Sequence, residues 1–248
     1  MQKTLLLLLF LVLSQLLTAQ EKALTTEEVV FPPTEMLNSN FSSYRVVRLN
    51  TQQIYDQVQV QGERALLRIV LGTDPLRSFL LQKHDLRSAS YQGRIAGSAG
   101  IALAPAREIG TYRGRMSGQT DGKLSLTIEP DFFFGLWTEG EETWFIEPLY
   151  RLEPTAPQDL YLLYRERDMK SRDNYCGLSL TQQHTEELSH KPAAGTEKAG
   201  NCLVVEVGLA ADNSMRVAFG GVAQVTNFMF GVLNNVQTNY DNEFADEI

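Results

Sequence analysis

Residues 123–147 constrain this chain more than any other stretch. Lys123-Leu-Ser-Leu-Thr-Ile-Glu129 alternates polar and apolar residues strictly, which places Leu124, Leu126 and Ile128 on one face of a half-buried strand. Phe132-Phe-Phe-Gly-Leu-Trp137 and Thr143-Trp-Phe-Ile-Glu147 follow, separated by Thr138-Glu-Gly-Glu-Glu142. Two aromatic, β-favouring runs around a short glycine-containing loop predict a hairpin. Ala65–Leu71, stopped by Gly72, and Leu160–Tyr164 add two more strands. No amphipathic helical pattern stands out between about residues 60 and 165. The region therefore reads as a mainly β domain, a sandwich or a barrel-like sheet. At strand spacing, Trp137, Trp144 and Phe132–Phe134 read as sheet core rather than as a carbohydrate platform.

The pattern changes twice after residue 165. Residues 178–200 are rich in Gln, Thr, Glu, Ser and Lys, with Pro192 and Gly195 and few apolar residues. Such a segment buries too little surface to pack and reads as an exposed linker. Leu203–Ala211 then reads as a buried strand, and Asp212-Asn213-Ser214 offers a helix N-cap. Met215, Phe219, Val222, Val225, Phe228, Met229, Val232, Leu233, Val236 and Tyr240 recur every three or four residues. That spacing predicts an amphipathic helix burying this apolar stripe, interrupted at Gly220-Gly221. Residues 201–248 carry six acidic residues against the single base Arg216. A strand entering a helix is a common start to an α/β domain, and the helix must lean on something for its apolar face.

Residues 20–59 are expected as an extended lead-in, broken at Pro32-Pro33. Residues 1–19 have the form of a secretory signal peptide: Lys3, the apolar run Leu5–Leu13, and Ala19 before Gln20. The apolar core is too short to span a bilayer. The expectation is a secreted or periplasmic protein, with no membrane association once the leader is removed. A net charge of −8 argues against nucleic acid as a partner. The two cysteines, Cys176 and Cys202, flank the linker. In an oxidising compartment they can pair, or Cys176 can remain a thiol available to a metal. His84, His184 and His190 show no spacing suited to a metal site.

An ordered series of motifs gives a resemblance. Thr111-Tyr-Arg-Gly-Arg-Met-Ser-Gly118, Leu124–Ile128, Gly135-Leu136, Glu142-Thr-Trp-Phe-Ile-Glu-Pro-Leu149, Leu163-Tyr-Arg165 and Cys176-Gly177 resemble the prodomains of reprolysin/adamalysin-like zinc metalloendopeptidases. Glu206–Asp212, Phe219-Gly220 and Val232–Tyr240 resemble the first strand and helix of the catalytic domain in that family. The resemblance covers roughly residues 60–248. It implies a β-rich prodomain over 60–177, a linker over 178–200, and over 201–248 the start of an incomplete α/β zincin-like catalytic domain.

The resemblance also implies a chemistry. Catalytic zinc sites keep one position open for water. In such prodomains a cysteine is thought to fill that position, excluding the water that would become the nucleophile. Cys176 is the residue implied as this inhibitory zinc ligand, and Glu206 as a ligand of a structural calcium. Implied partners are the catalytic domain of a metallopeptidase, in cis or in trans, and the protein substrates of the full-length enzyme. The chain departs from the pattern at one decisive point: His-Glu-x-x-His is absent. His184-Thr-Glu-Glu-Leu188 has one histidine and a misplaced glutamate. No catalytic residue is therefore assigned, and the chain alone is expected to be inactive. A truncated zymogen is the reading of choice. The alternative is a non-enzymatic secreted β domain that binds a protein or a glycan.

Overall fold

The computed structural model describes residues 23–105, 107–170 and 207–243. The β pattern is present where the sequence places it. Strands β4 (Arg64–Val70), β9 (Leu124–Glu129), β10 (Phe132–Glu139), β11 (Glu142–Pro148) and β12 (Leu160–Arg165) cover the expected runs. The β10–β11 hairpin is tighter than its loop suggested. Glu139 already pairs with Glu142, leaving Gly140 and Glu141 to turn the chain.

Further strands complete the sheet: β1 (Leu24–Thr25), β2 (Glu27–Glu28), β3 (Arg45–Arg48), β5 (Arg77–Lys83) and β8 (Thr111–Met116). A separate two-stranded ribbon, β6 (Arg94–Gly97) and β7 (Gly100–Leu103), projects between β5 and β8. The ten-stranded order is β1-β4-β5-β8-β9-β10-β11-β12-β3-β2. Its two ends belong to one short segment. Leu24-Thr25 pairs in parallel with Ile69-Val70, while Glu27-Glu28 pairs antiparallel with Val47-Arg48. Residues 24–28 thus join both margins and bring the sheet to a nearly closed barrel. Residues 23–59, expected as an extended lead-in, instead supply three strands of this sheet and two helices, α1 (Glu35–Asn40) and α2 (Thr51–Gln59).

Alternation decides what lies inside. Val47, Leu67, Ile69, Phe79, Leu81, Tyr112, Leu124, Leu126, Ile128, Phe133, Trp137, Ile146, Tyr161 and Leu163 form the interior core. Fourteen such side chains exclude water from the lumen and supply most of the driving force for folding. Helix α2 stops one mouth. Asn50 caps it by accepting from Gln53 N, and Ile54 and Val58 enter the core. Gln59 ties it to the Tyr112 hydroxyl at 2.9 Å. Gly135 on β10, with φ of +154°, lies so close to β9 that a side chain there would meet the Ser125 carbonyl. Only glycine fits such a bend in a closing sheet.

Outside the barrel, Leu37, Phe41, Val46, Leu149, Leu160, Leu162 and Tyr164 make a second core over β3 and β12. The other covered outer face, on β8 to β10, takes the helix α4 (Val222–Glu243), which the short helix α3 (Asn213–Ala218) precedes and contacts. Asp212 caps α3 by accepting from Met215 N at 2.7 Å, and the break falls at Gly220-Gly221 as the sequence predicts. The expected strand Leu203–Ala211 differs. Residues 207–211 are exposed and have no strand partner among the described residues, and residues 203–206 lie outside them. A single strand without a neighbouring ladder cannot satisfy its backbone. The structure therefore supports the β domain, whereas the α/β zincin-like character of the C-terminal part is not present in the described residues.

Candidate functional site: a helix docked on strands β8 to β10

Helix α4 lies across β8, β9 and β10. Its contact stripe meets the sequence expectation in part: Val225 is buried and Phe228, Met229 and Leu233 are half-buried, but the closest positions are not the apolar ones. Asn227, Gly231, Asn234 and Thr238, spaced four, three and four residues apart, are the positions pressed onto the sheet. Val232, Val236 and Tyr240, expected in the buried stripe, face solvent, at 36, 41 and 59 % exposure. Gly231 explains the difference. A methyl group there would come within 2.7 Å of the Phe134 ring, so glycine lets the helix backbone approach the sheet closely. At this crossing point the backbone is too near for long apolar side chains, and the small polar residues beside Gly231 fit instead.

Asn234 anchors the dock. It is fully buried, and its Nδ2 donates to the carbonyls of Tyr112 at 3.1 Å and Leu126 at 3.2 Å. It thereby reads β8 and β9 together. The N-terminal half of α4 is held by rings: Phe228 meets Phe134 edge to face at 5.7 Å and stacks on Phe219 at 4.7 Å. The Arg151 guanidinium lies 4.1 Å from the Phe228 centroid. Polar ties surround these contacts. Arg107 Nη1 donates to the Ala223 carbonyl at 3.0 Å, and Gln224 Nε2 donates to Asp131 at 2.9 Å. Beside the helix, Arg87, Arg107, Glu129 and Phe230 line a small crevice. Burial pushes the Glu129 carboxyl above the usual carboxylate range, against the pull of Arg107 at 3.7 Å.

The opposite, open mouth of the barrel holds a second polar cluster. Arg77 is 3 % exposed; its Nη1 donates to Asp74 at 2.6 Å, and its Nε and Nη2 donate to Glu139 at 3.0 and 2.9 Å. It also lies over the Trp137 and Trp144 rings at 5.5 and 5.2 Å. Arg45 and Arg165 approach Trp144 from other sides. Burial alone would raise the Asp74 carboxyl, but hydrogen bonds from Arg45 and Arg77 outweigh it and hold the group below its usual range. Each arginine bridges two carboxylates here, Arg77 holding Asp74 and Glu139 and Arg45 holding Asp74 and Glu28, so the charges are paired within the cluster and seal the mouth. Trp137, Phe132 and Phe133 are buried, while Trp144 is half-buried on the Trp137 ring and Phe134 half-buried against Phe228, which fits sheet core.

Neither residue proposed for metal from the sequence is brought into this picture. Cys176 and Glu206, together with Cys202, His184 and His190, lie outside the described residues. His84 is described, with its Nε2 3.4 Å from Gln237 Oε1 on α4. Among the described residues no three His, Cys, Asp or Glu side chains converge as a metal site. The Asn227-Gly231-Asn234-Thr238 stripe is the feature that hydropathy missed; its four-three-four spacing is visible once small and polar residues are counted as a face. No protein-family model matches the chain, and no curated protein matches it.

Proposed function

We propose that this chain is the N-terminal part of a secreted zinc metalloendopeptidase zymogen, its β domain acting as a prodomain that holds the protease latent. The observation that carries the reading is the dock of helix α4 on β8 to β10. The helix comes from the segment that resembles the opening of a catalytic domain, and it lies against the domain that resembles the prodomain, across the linker at residues 178–200. A prodomain that assists folding and maintains latency needs such a contact. The exposed Val232, Val236 and Tyr240 support it too, since they leave an apolar helix face for the rest of an α/β domain.

On this reading the zinc is held by residues beyond the motifs of this chain, which contributes only the Cys176 thiolate, while Glu206 serves a structural calcium. Zinc favours four ligands, and one cysteine does not make a site. The chain alone is accordingly inactive. Reading the coding DNA beyond codon 248 tests the proposal. An in-frame His-Glu-x-x-His-x-x-Gly-x-x-His or -Asp is the expected result. A stop codon with no neighbouring catalytic segment overturns it. Thiol titration of the exported chain tests the switch separately: a reactive Cys176 is expected, and a Cys176–Cys202 disulfide excludes it. The alternative of a non-enzymatic binding domain draws on the β6–β7 ribbon, where Ile101 and Leu103 are exposed; the same DNA reading decides between the two.

A further inference from the structure

We infer that the outer face of β8 to β10 is a releasable dock for helix α4, an interaction surface built to separate from its helix without unfolding the barrel. The inference stands on the interface itself and does not need the protease reading. Of the described residues of α3 and α4, Val225 is the one large apolar side chain in the buried class; the others buried there are Asn227, Asn234 and Thr238, with Gly231. The sheet answers with Ser125 and Thr127, both buried. The barrel interior, on the other face of the same strands, contains side chains of the opposite kind. Full hydrophobic burial is therefore denser inside the barrel than beneath the helix, where Phe228, Met229, Phe230 and Leu233 are only half-buried.

The polar groups of the dock are also incompletely satisfied. Ser125 Oγ, Thr127 Oγ1, Asn227 Nδ2 and Asn234 Oδ1 are buried and find no hydrogen-bond partner among the described residues. Each such group costs free energy in the docked state and recovers it in water. Release therefore opens to bulk water four groups that have no protein partner in the docked state. It also leaves behind a sheet face of Ser125 and Thr127 that tolerates water. The favourable contacts that oppose release are the two Asn234 hydrogen bonds, the rim bonds Arg107–Ala223 and Gln224–Asp131, buried Val225, and the rings Phe134–Phe228 and Tyr91–Phe230 with Arg151 over Phe228.

Amide hydrogen exchange on the full exported chain tests this. The amides of α4 are expected to exchange through a sub-global opening, at least about tenfold faster than those of β9 and β10. Asn234→Ala removes two hydrogen bonds and is expected to accelerate α4 by about five- to a hundredfold, with β9 and β10 unchanged. Thr127→Val, isosteric and without the unpaired hydroxyl, is expected to slow α4. Equal protection of α4 and the barrel strands overturns the inference. So does an Asn234→Ala effect spread equally over β9 and β10, or an acceleration of α4 by Thr127→Val.

Discussion

Replacing Arg77 by Met keeps most of the side chain's volume and removes its charge. Three hydrogen bonds to Asp74 and Glu139 disappear, as does the cation over Trp137 and Trp144. Removing one partner of a buried ion pair costs about 3–5 kcal/mol. Two features hold the cost to the lower end. Asp74 keeps its contact with Arg45, and Glu139, a third exposed, can turn to water. The expected loss is about 3 kcal/mol. For a domain of this size that corresponds to a fall in Tm of roughly 6–12 °C. Urea unfolding followed by tryptophan fluorescence measures it directly, because both tryptophans of the chain sit at this mouth. The pH dependence supplies a second reading. Asp74 has a folded-state pKa below its ordinary value of 3.8, so its contribution is fully present above 3.8 and is lost as pH falls through the folded value. Without Arg77 the folded value moves back up, so the stability gap between wild type and variant should be widest above pH 3.8 and narrow below it. A loss under about 1 kcal/mol, or a gap that stays constant through acid, refutes the account of the mouth as an ion-pair seal.

Three further substitutions probe the barrel, an open control position and the crevice. Gly114→Ala places a methyl 1.8 Å from the Leu80 carbonyl of the paired strand. It should cost about 3 kcal/mol, the upper range for overpacking, while Gly208→Ala, with nothing within 4 Å, should be neutral in the same thermal melt. Glu129→Gln should stabilise the protein at neutral pH. Burial raises the Glu129 pKa, so the folded state binds its proton more tightly, and wild-type stability falls as pH rises from the ordinary value through the raised one. The variant should lack that fall in melts recorded between pH 4 and 8, and a variant less stable than wild type at neutral pH contradicts the burial argument.

The barrel was legible wherever one face of a strand is buried and the other is not. Leu124, Leu126 and Ile128 alternate with Ser125 and Thr127 because the first set faces the lumen. Strand β5 escaped the same pattern because its first inward residue is Arg77, whose burial depends on carboxylates and indoles brought from other strands. Residues 24–28 carry no periodicity in two-residue strands, so their role rests on hydrogen bonds to residues 46–70 that no local pattern announces. Helix α4 shows a different limit. Hydropathy reports which residues favour burial, and Val232, Val236 and Tyr240 do; it does not report which face finds a surface. Gly231 decided that by allowing close approach.

The segment Leu24–Glu28 has a consequence for how the protein keeps to itself. It acts as a clasp, covering the free edge of β4 with one end and that of β3 with the other. It is anchored by few contacts, including Thr26 N to the Val70 carbonyl at 3.0 Å and the Thr26 hydroxyl accepting from Gly72 N at 2.9 Å. Unclasped, the molecule would present two unpaired strand edges at once, each a template for a neighbour's backbone. Two edges per molecule suffice for head-to-tail growth without limit. Trimming away residues 24–28 would thus act on solubility well before it acted on the core, and this segment guards against polymerisation more than it supports the fold.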